Sequence, residues 1–385
     1  MPSVYSGINF RFRKDSIMKI ENTLQYAGEH LKVNAVRCLA DDGTEMSHGG
    51  FNTIMTRFGG HYVPTLTVGG IGTNVLYRRQ GCVREMLNEF LPHTKEYGVY
   101  VSLLHPFSFA FYRKFGYERV SDTVICDFPI TALDFLPRRA DVVPLTPERL
   151  PELLDLFDTF SKDRNVMFRR TDGGRFRPER TYLHCDASGK ADAYIQLEGE
   201  NHYDGINRMV SDNLHIYEMG YASREGLLGI LSFVRMFEGE FDTVRIHDLG
   251  PIPEVDLILK HFMHTKYDVH PDIMARILDT EGMLKANTYP DEHGVFTLRV
   301  EDTLDTVKGT FRVEYENGSC SVERLSDSAS ADLTVGPQAL AKLLYGVDQY
   351  DARYAVFMDG VTMHTPAQDF FRAFPKRICG LFEHF

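Results

Sequence analysis

The sequence predicts an α+β protein of three folding units, and three observations carry that reading. At about 150 residues per domain, 385 residues divide into two or three units. A strand, a helix and a second strand follow one another before residue 104, the size of a βαβ unit, and a similar order returns in the middle of the chain. The last hundred residues change style, to strands of period two followed by two helices.

Composition removes several function classes. Hydrophobic residues make up 43% and charged residues 25%, ordinary globular values, and no apolar run is long enough to span a membrane. Six cysteines are scattered without a Cys-x-x-Cys pair, which argues against a disulfide framework and a structural zinc site. A net charge of −12 disfavours nucleic acid as a partner and suits cationic ones. The start, Met1-Pro2-Ser3-Val4-Tyr5-Ser6-Gly7, lacks the basic, apolar and small-residue regions of an export signal, so a cytoplasmic location is expected.

In chain order, residues 20–31 read as a helix and residues 33–40 as a strand ended by the turn Asp41-Asp42-Gly43. Residues 65–74 alternate β-branched residues with glycines. After Gly81, Val83, Met86, Leu87 and Phe90 recur at the spacing of one helix face, which Pro92 ends. Residues 99–104 read as a buried strand, residues 107–115 as an aromatic-rich helix stopped at Gly116, and residues 123–126 as the strand that closes the first unit. Prolines at 129, 137, 144 and 147 mark a connector, so a boundary is placed near 135.

The middle segment holds a helix over 151–160, a Gly- and Arg-rich loop over 169–175, strands at 191–197 and 243–246, and a helix over 224–237. Beyond Gly282, residues 294–300 and 309–315 alternate as half-buried antiparallel strands do, and Asn317-Gly318 is a hairpin signal. Helices over 337–345 and 366–374 complete the chain.

The fragment Val75-Leu76-Tyr77-Arg78-Arg79-Gln80-Gly81-Cys82-Val83-Arg84 takes a strand into a helix through a glycine flanked by cations. The first-turn N–H groups of such a helix carry partial positive charge, glycine lets an anion come close, and arginines add forked donors. A pyrophosphate suits that turn, although Arg-x-x-Gly alone also fits a solvated loop. A strand follows, and then Phe111-Tyr112-Arg113-Lys114-Phe115-Gly116-Tyr117.

In that order the sequence resembles the GNAT superfamily of acyl-CoA-dependent N-acetyltransferases. Their cofactor loop reads (Arg/Gln)-x-x-Gly-x-(Gly/Ala), and a later helix ends Phe-Tyr-x-(Lys/Arg)-x-Gly-(Phe/Tyr). Here Val83 takes the sixth place of the loop. The doubled arginine, the preceding Val68-Gly69-Gly70-Ile71-Gly72 and the Tyr-x-(Arg/Lys)-Phe-Gly-Tyr form are similar to one branch, the enhanced intracellular survival protein family. Met274 to Gly282 and Ala331-Asp332-Leu333-Thr334-Val335 resemble its last domain. The resemblance implies two GNAT-like acetyltransferase units, 1–135 and 136–281, followed by a sterol-carrier-protein-like domain, 282–385.

It also implies acetyl-CoA as donor, lying against Val75, Leu76, Arg79, Gln80, Gly81, Cys82, Val83 and Arg84, with Phe107 and Ser108 near the acetyl group. Tyr112 would be the acid: a phenol of pKa about 10 can protonate a departing thiolate. In the same family the chain's own terminal carboxylate is the base, here that of Phe385. Ordinarily near pKa 3.5, it would need burial or a relaying water to take a proton from an ammonium, or would orient the cation instead. The expected acceptor is a primary amine of a small polycation, aminoglycoside or polyamine in type, or of a lysine side chain. Transfer is direct, because no cysteine stands where the motif would want a nucleophile, and no metal is assigned. The middle unit lacks an Arg-x-x-Gly-led helix and reads as a wall of the acceptor pocket. His215 and Tyr217 read as a structural pair. A homo-oligomer, with the hexamer as candidate, is the assembly the likeness implies. The alternative function is a lipid or apolar-ligand binder using the last domain, with the other two units as scaffold.

Overall fold

The computed structural model describes residues 18–27, 32–203, 209–346 and 355–383. The first unit is an antiparallel run of β1 (Lys19–Ala27), β2 (Lys32–Leu39), β3 (Glu45–Phe58) and β4 (His61–Thr73). Helix α1 (Cys82–Phe90) then carries the chain over the sheet to β5 (Val101–Leu104), which pairs with β4 in parallel. A parallel pair needs such a crossover. Helix α2 (Phe109–Arg113) and the short β6 (Glu118–Arg119) follow, and then β7 (Asp122–Pro129). The helix expected over 20–31 is strand β1 as far as it is described: its backbone zips onto β2 from Lys19↔Leu39 to Ala27↔Lys32. Tertiary pairing overrides a weak local helical preference.

The middle unit contains β8 (Val142–Pro144), α3 (Leu150–Ser161), β9 (Arg164–Asn165), β10 (Thr181–Cys185), β11 (Ala191–Tyr203), β12 (Met209–Tyr221), α4 (Arg224–Arg235), β13 (Thr243–Ile246), α5 (Glu254–Ile258), β14 (Lys266–Pro271) and β15 (Met274–Ile277). The two sheets do not divide where the sequence reading divides the chain. Strand β7, read as closing the first unit, pairs with β13 and β14 in the second sheet. In exchange, β15 lies between β5 and β6 in the first. The sheet orders are β1-β2-β3-β4-β5-β15-β6 and β14-β7-β13-β12-β11-β10-β8. Each sheet thus takes in, as an interior strand, one strand from the segment assigned to the other unit, which ties the two together.

The last unit has α6 (Thr280–Ala286), β16 (Gly294–Val300), β17 (Gly309–Glu316), β18 (Ser319–Leu325), β19 (Leu333–Val335), α7 (Pro337–Tyr345), β20 (Val361–Met363), α8 (Gln368–Ala373) and β21 (Ile378–Cys379). Strand β16 shows the alternating burial expected of it, and Asn317-Gly318 turns β17 into β18. Its interior is filled by the rings of Phe296, Tyr315, Phe370 and Phe374 in mutual contact.

The two faces of the first sheet have different neighbours. Val36, Cys38, Phe51, Leu66 and Val68 form a core with α1 and Tyr112. Val63, Val101, Leu103, Ala275 and Ile277 pack instead on the last unit. Gly116 marks a close approach there. Its φ is +82°, and a Cβ would lie 2.6 Å from Arg276 Nε and 2.9 Å from Pro337. Arg276 is itself buried and anchored to Asp302 at 2.6 Å. From β21, which pairs with β9, the chain end runs over the middle unit, where Phe382 stacks on Phe160.

Candidate active site

Strands β4 and β5 stay paired only from Thr65↔Val101 to Val68↔Leu104. Strand β5 then ends while β4 continues to Thr73, so residues 69–73 have no ladder partner on the β5 side among the described residues. This gap sits beside the start of α1. Gly81 occupies its N-cap position at φ +94° and offers no side-chain cap. The first N–H to find a helical partner is that of Glu85, bonded to Gly81 O at 3.0 Å. The N–H groups of Cys82, Val83 and Arg84 are therefore the open end of an α-helix, where anions are favoured.

The residues singled out in the sequence surround this point in different ways. Val75 and Leu76 form an exposed turn capped by Asn74, whose Oδ1 accepts the Leu76 N–H at 3.1 Å. They are 69% and 58% exposed, unusual for side chains of this kind and suited to an apolar part of a ligand. Arg78, Arg79 and Arg84 are exposed; Arg79 has a positive φ of 63°, and Arg84 donates to Glu85 at 3.1 Å. Gln80 donates back to Leu76 O at 3.3 Å. Val83 is half-buried against the core. Cys82 is different: its side chain is buried against the core with Cys38, and burial, helped by that contact, lifts the Cys38 thiol to about 12. Only the main chain of Cys82 is available to a ligand.

Ser108 caps α2, its Oγ accepting the Phe111 N–H at 3.3 Å, and Phe107 just before it is 67% exposed. The Phe107 ring lies edge-on to Tyr112 at 5.2 Å. Tyr112 itself is buried among Phe107, Phe111 and Tyr117, and burial pushes its phenol up to about 12. Its hydroxyl has no hydrogen-bond partner among the described residues. Such a phenol stays protonated at any working pH and can give its proton to a stronger base. Tyr112 shares a core with Val68 and Leu104, the last pair before β4 and β5 part.

Side chains alternate along β4, so Thr67 faces the other way. There it lines a cavity of about 270 Å³ with Asn52, Ile54, Arg169, Arg170, Asp172, Arg175 and Glu383, among others. Three parts of the chain meet in this wall: β3 and β4, the Arg-rich loop of the middle unit, and the end of the last unit. Arg170 holds them. It is 3% exposed, donates from Nη1 and Nη2 to the two oxygens of Glu218 at 2.6 and 3.0 Å, and from Nε to Glu383 at 2.7 Å. Tyr194 and Gln196 complete Glu218 at 2.6 and 3.2 Å, and Phe157 and Phe176 cover the guanidinium. Burial pushes the Glu383 carboxyl above its usual range, against the pull of Arg170.

Phe385, the expected base, lies outside the described residues; the last described residue is Glu383, already in the cavity wall. Arg170, Glu218 and Glu383 were not singled out as site residues. The sequence offered only an Arg-rich loop and an acidic residue near the chain end, with nothing local to pair them. His215 and Tyr217, read as a structural pair, lie in a ring stack with His247. Among the described residues no group of His, Cys, Asp and Glu is arranged to hold a metal ion, and no helix is long and apolar enough to cross a membrane.

Residues 14–120 match the acetyltransferase (GNAT) domain family, and residues 280–378 match the sterol carrier protein domain family. Several solved structures align over nearly the whole chain, three of them as follows. A GCN5-related N-acetyltransferase from Anabaena variabilis ATCC 29413 is 19% identical with a TM-score of 0.76, over 91% of this chain and 89% of that one. A probable N-acyltransferase from Enterococcus faecalis V583 is 19% identical with a TM-score of 0.73, over 92% and 89%. Eis1 from Mycobacterium abscessus is 17% identical with a TM-score of 0.71, over 91% of each. At these identities the likeness is one of fold. No curated protein matches the chain in sequence.

Proposed function

For a chain that carries an acetyltransferase (GNAT) domain and a sterol carrier protein domain, we propose direct acetyl transfer from acetyl-CoA to a primary amine in the gap between β4 and β5. The observation that carries this is the open N-terminus of α1 beside the parted strands. The diphosphate of the donor would be held by the N–H groups of Cys82, Val83 and Arg84, with the guanidinium groups of Arg79 and Arg84 within reach and Val75 and Leu76 against its apolar arm. The thioester would then lie toward Phe107, Ser108 and Tyr112.

The amine must lose a proton, attack the thioester carbonyl and form the C–N bond as the C–S bond breaks. Tyr112, protonated and dry, supplies a proton to the departing sulfur. A base takes the proton from the ammonium, directly or through water, or orients it, the role the resemblance gives to a terminal carboxylate. The loop over 169–175 makes the middle unit a wall of the acceptor cavity, and the acceptor expected from the resemblance is a polyamine, an aminoglycoside or a lysine side chain.

The test mixes the protein with acetyl-CoA and a panel of such amines and measures free thiol. Release that depends on an amine supports the reading; release with none of them overturns it.

A further inference from the structure

The cavity on the Thr67 side carries more than a path for an amine. One guanidinium, Arg170, serves two buried carboxylates. Glu218 is fully met by Arg170, Tyr194 and Gln196, whereas Glu383 bonds through one oxygen and its Oε2 is buried with no hydrogen-bond partner among the described residues. A buried carboxylate oxygen left without a donor is costly, and an ammonium beside it removes that cost.

The rim has the opposite character. Arg169 and Arg175 are exposed and make no ion pair among the described residues; Arg169 lies 5.5 Å from the Tyr62 ring, and Arg175 helps to stabilise the charge of Glu383. The one other acid in the lining, Asp172, spends its Oδ1 on the Gly174 N–H at 2.8 Å. The cavity's 270 Å³ falls below the roughly 300–1,000 Å³ of pockets for drug-sized ligands.

We propose that this cavity selects a small acceptor of amino-acid type, its ammonium directed to Glu383 and its carboxylate to Arg169 and Arg175. The inference rests on the acetyltransferase reading above and narrows its acceptor. A polycation would meet the two rim arginines as like charges, whereas an amine bearing a carboxylate meets complementary charge at both ends.

The experiment compares lysine with cadaverine, and ornithine with putrescine, as acceptors for acetyl-CoA. Each pair differs by one carboxylate. Two partly exposed arginine contacts should favour the carboxylated member about tenfold in kcat/KM. The double variant Arg169→Gln/Arg175→Gln, at exposed positions, should bring that ratio to about one. Glu383→Gln should raise KM for both members more than it lowers kcat. Equal or better use of the diamines by the unaltered protein overturns this inference while the acetyltransferase reading stands. Failure of every amine tested to release thiol overturns both.

Discussion

The first and second units both run strand, helix, parallel strand, and they differ where the helix begins. Between β4 and α1 the chain spends residues 74–81 on a turn that ends in an uncapped Gly81. Between β12 and α4 only Ala222 and Ser223 intervene, and the Ser223 hydroxyl accepts the Gly226 N–H at 3.0 Å. The first helix leaves its partial positive charge for a ligand; the second neutralises it from within. The gaps differ in the same sense. Strand β12 also outruns β13 after Ile216↔Ile246, but there Tyr217 stacks on His247 at 4.5 Å and His247 bonds His215 at 2.9 Å. One framework thus appears once with its helix start open and once with it capped by a serine, and a few residues at the βα turn make the difference.

The comparison breaks most visibly at the open unit. Tyr112→Phe should slow turnover by about two to four powers of ten while leaving coenzyme A binding intact. Calorimetry with CoA and single-turnover rates separate the two effects. Because the phenol is held near 12, no loss of rate from its ionisation should occur as pH rises from 7 to 10, since the acid form persists throughout that range. Gly81→Asp, which places a carboxylate at the helix start at a φ of +94°, should weaken acetyl-CoA by about a hundredfold. Unchanged affinity would remove the helix start from the donor site.

The unit with the capped helix should answer in stability. After β13 the chain turns Asp248 inward, where its Oδ1 accepts the Val124 and Gly250 N–H groups at 3.0 and 2.9 Å, and burial lifts its carboxyl to about 7. The folded protein then binds this proton more tightly than the unfolded chain does. Its contribution to stability is complete below about pH 4 and is lost as pH rises through 7. Asp248→Asn should flatten that dependence, so urea midpoints of the two proteins should converge or cross between pH 5 and 8. Ser223→Ala should cost about 1 kcal/mol of stability, with no change in acetyl-CoA affinity.

Much of this arrangement was legible beforehand because it is local. The face of Met86, Leu87 and Phe90, the turn at Gly81, the Ser108–Tyr112 segment and the Asn317-Gly318 hairpin each follow from neighbours within a turn or a strand. Misreadings arose where the partner is distant. Strand β1 depends on β2 for its ladder, and nothing within residues 123–126 states that they join β13 and β14 rather than β5. Arg170 is separated by 48 residues from Glu218 and by 213 from Glu383, so their buried charges have no signature along the chain.

By itself the sequence determined the three-unit plan, the helix start with its cations and the phenol at 112, since periodicity, turn chemistry and motif order act over short stretches. Tertiary structure alone decided which sheet receives β7 and β15, that Cys82 turns inward, and that Glu383 is brought to Arg170 at the wall of a small cavity. The physical reason is that a strand edge or a buried charge takes whichever complementary partner global packing brings to it, and that choice is made across hundreds of residues rather than within a few.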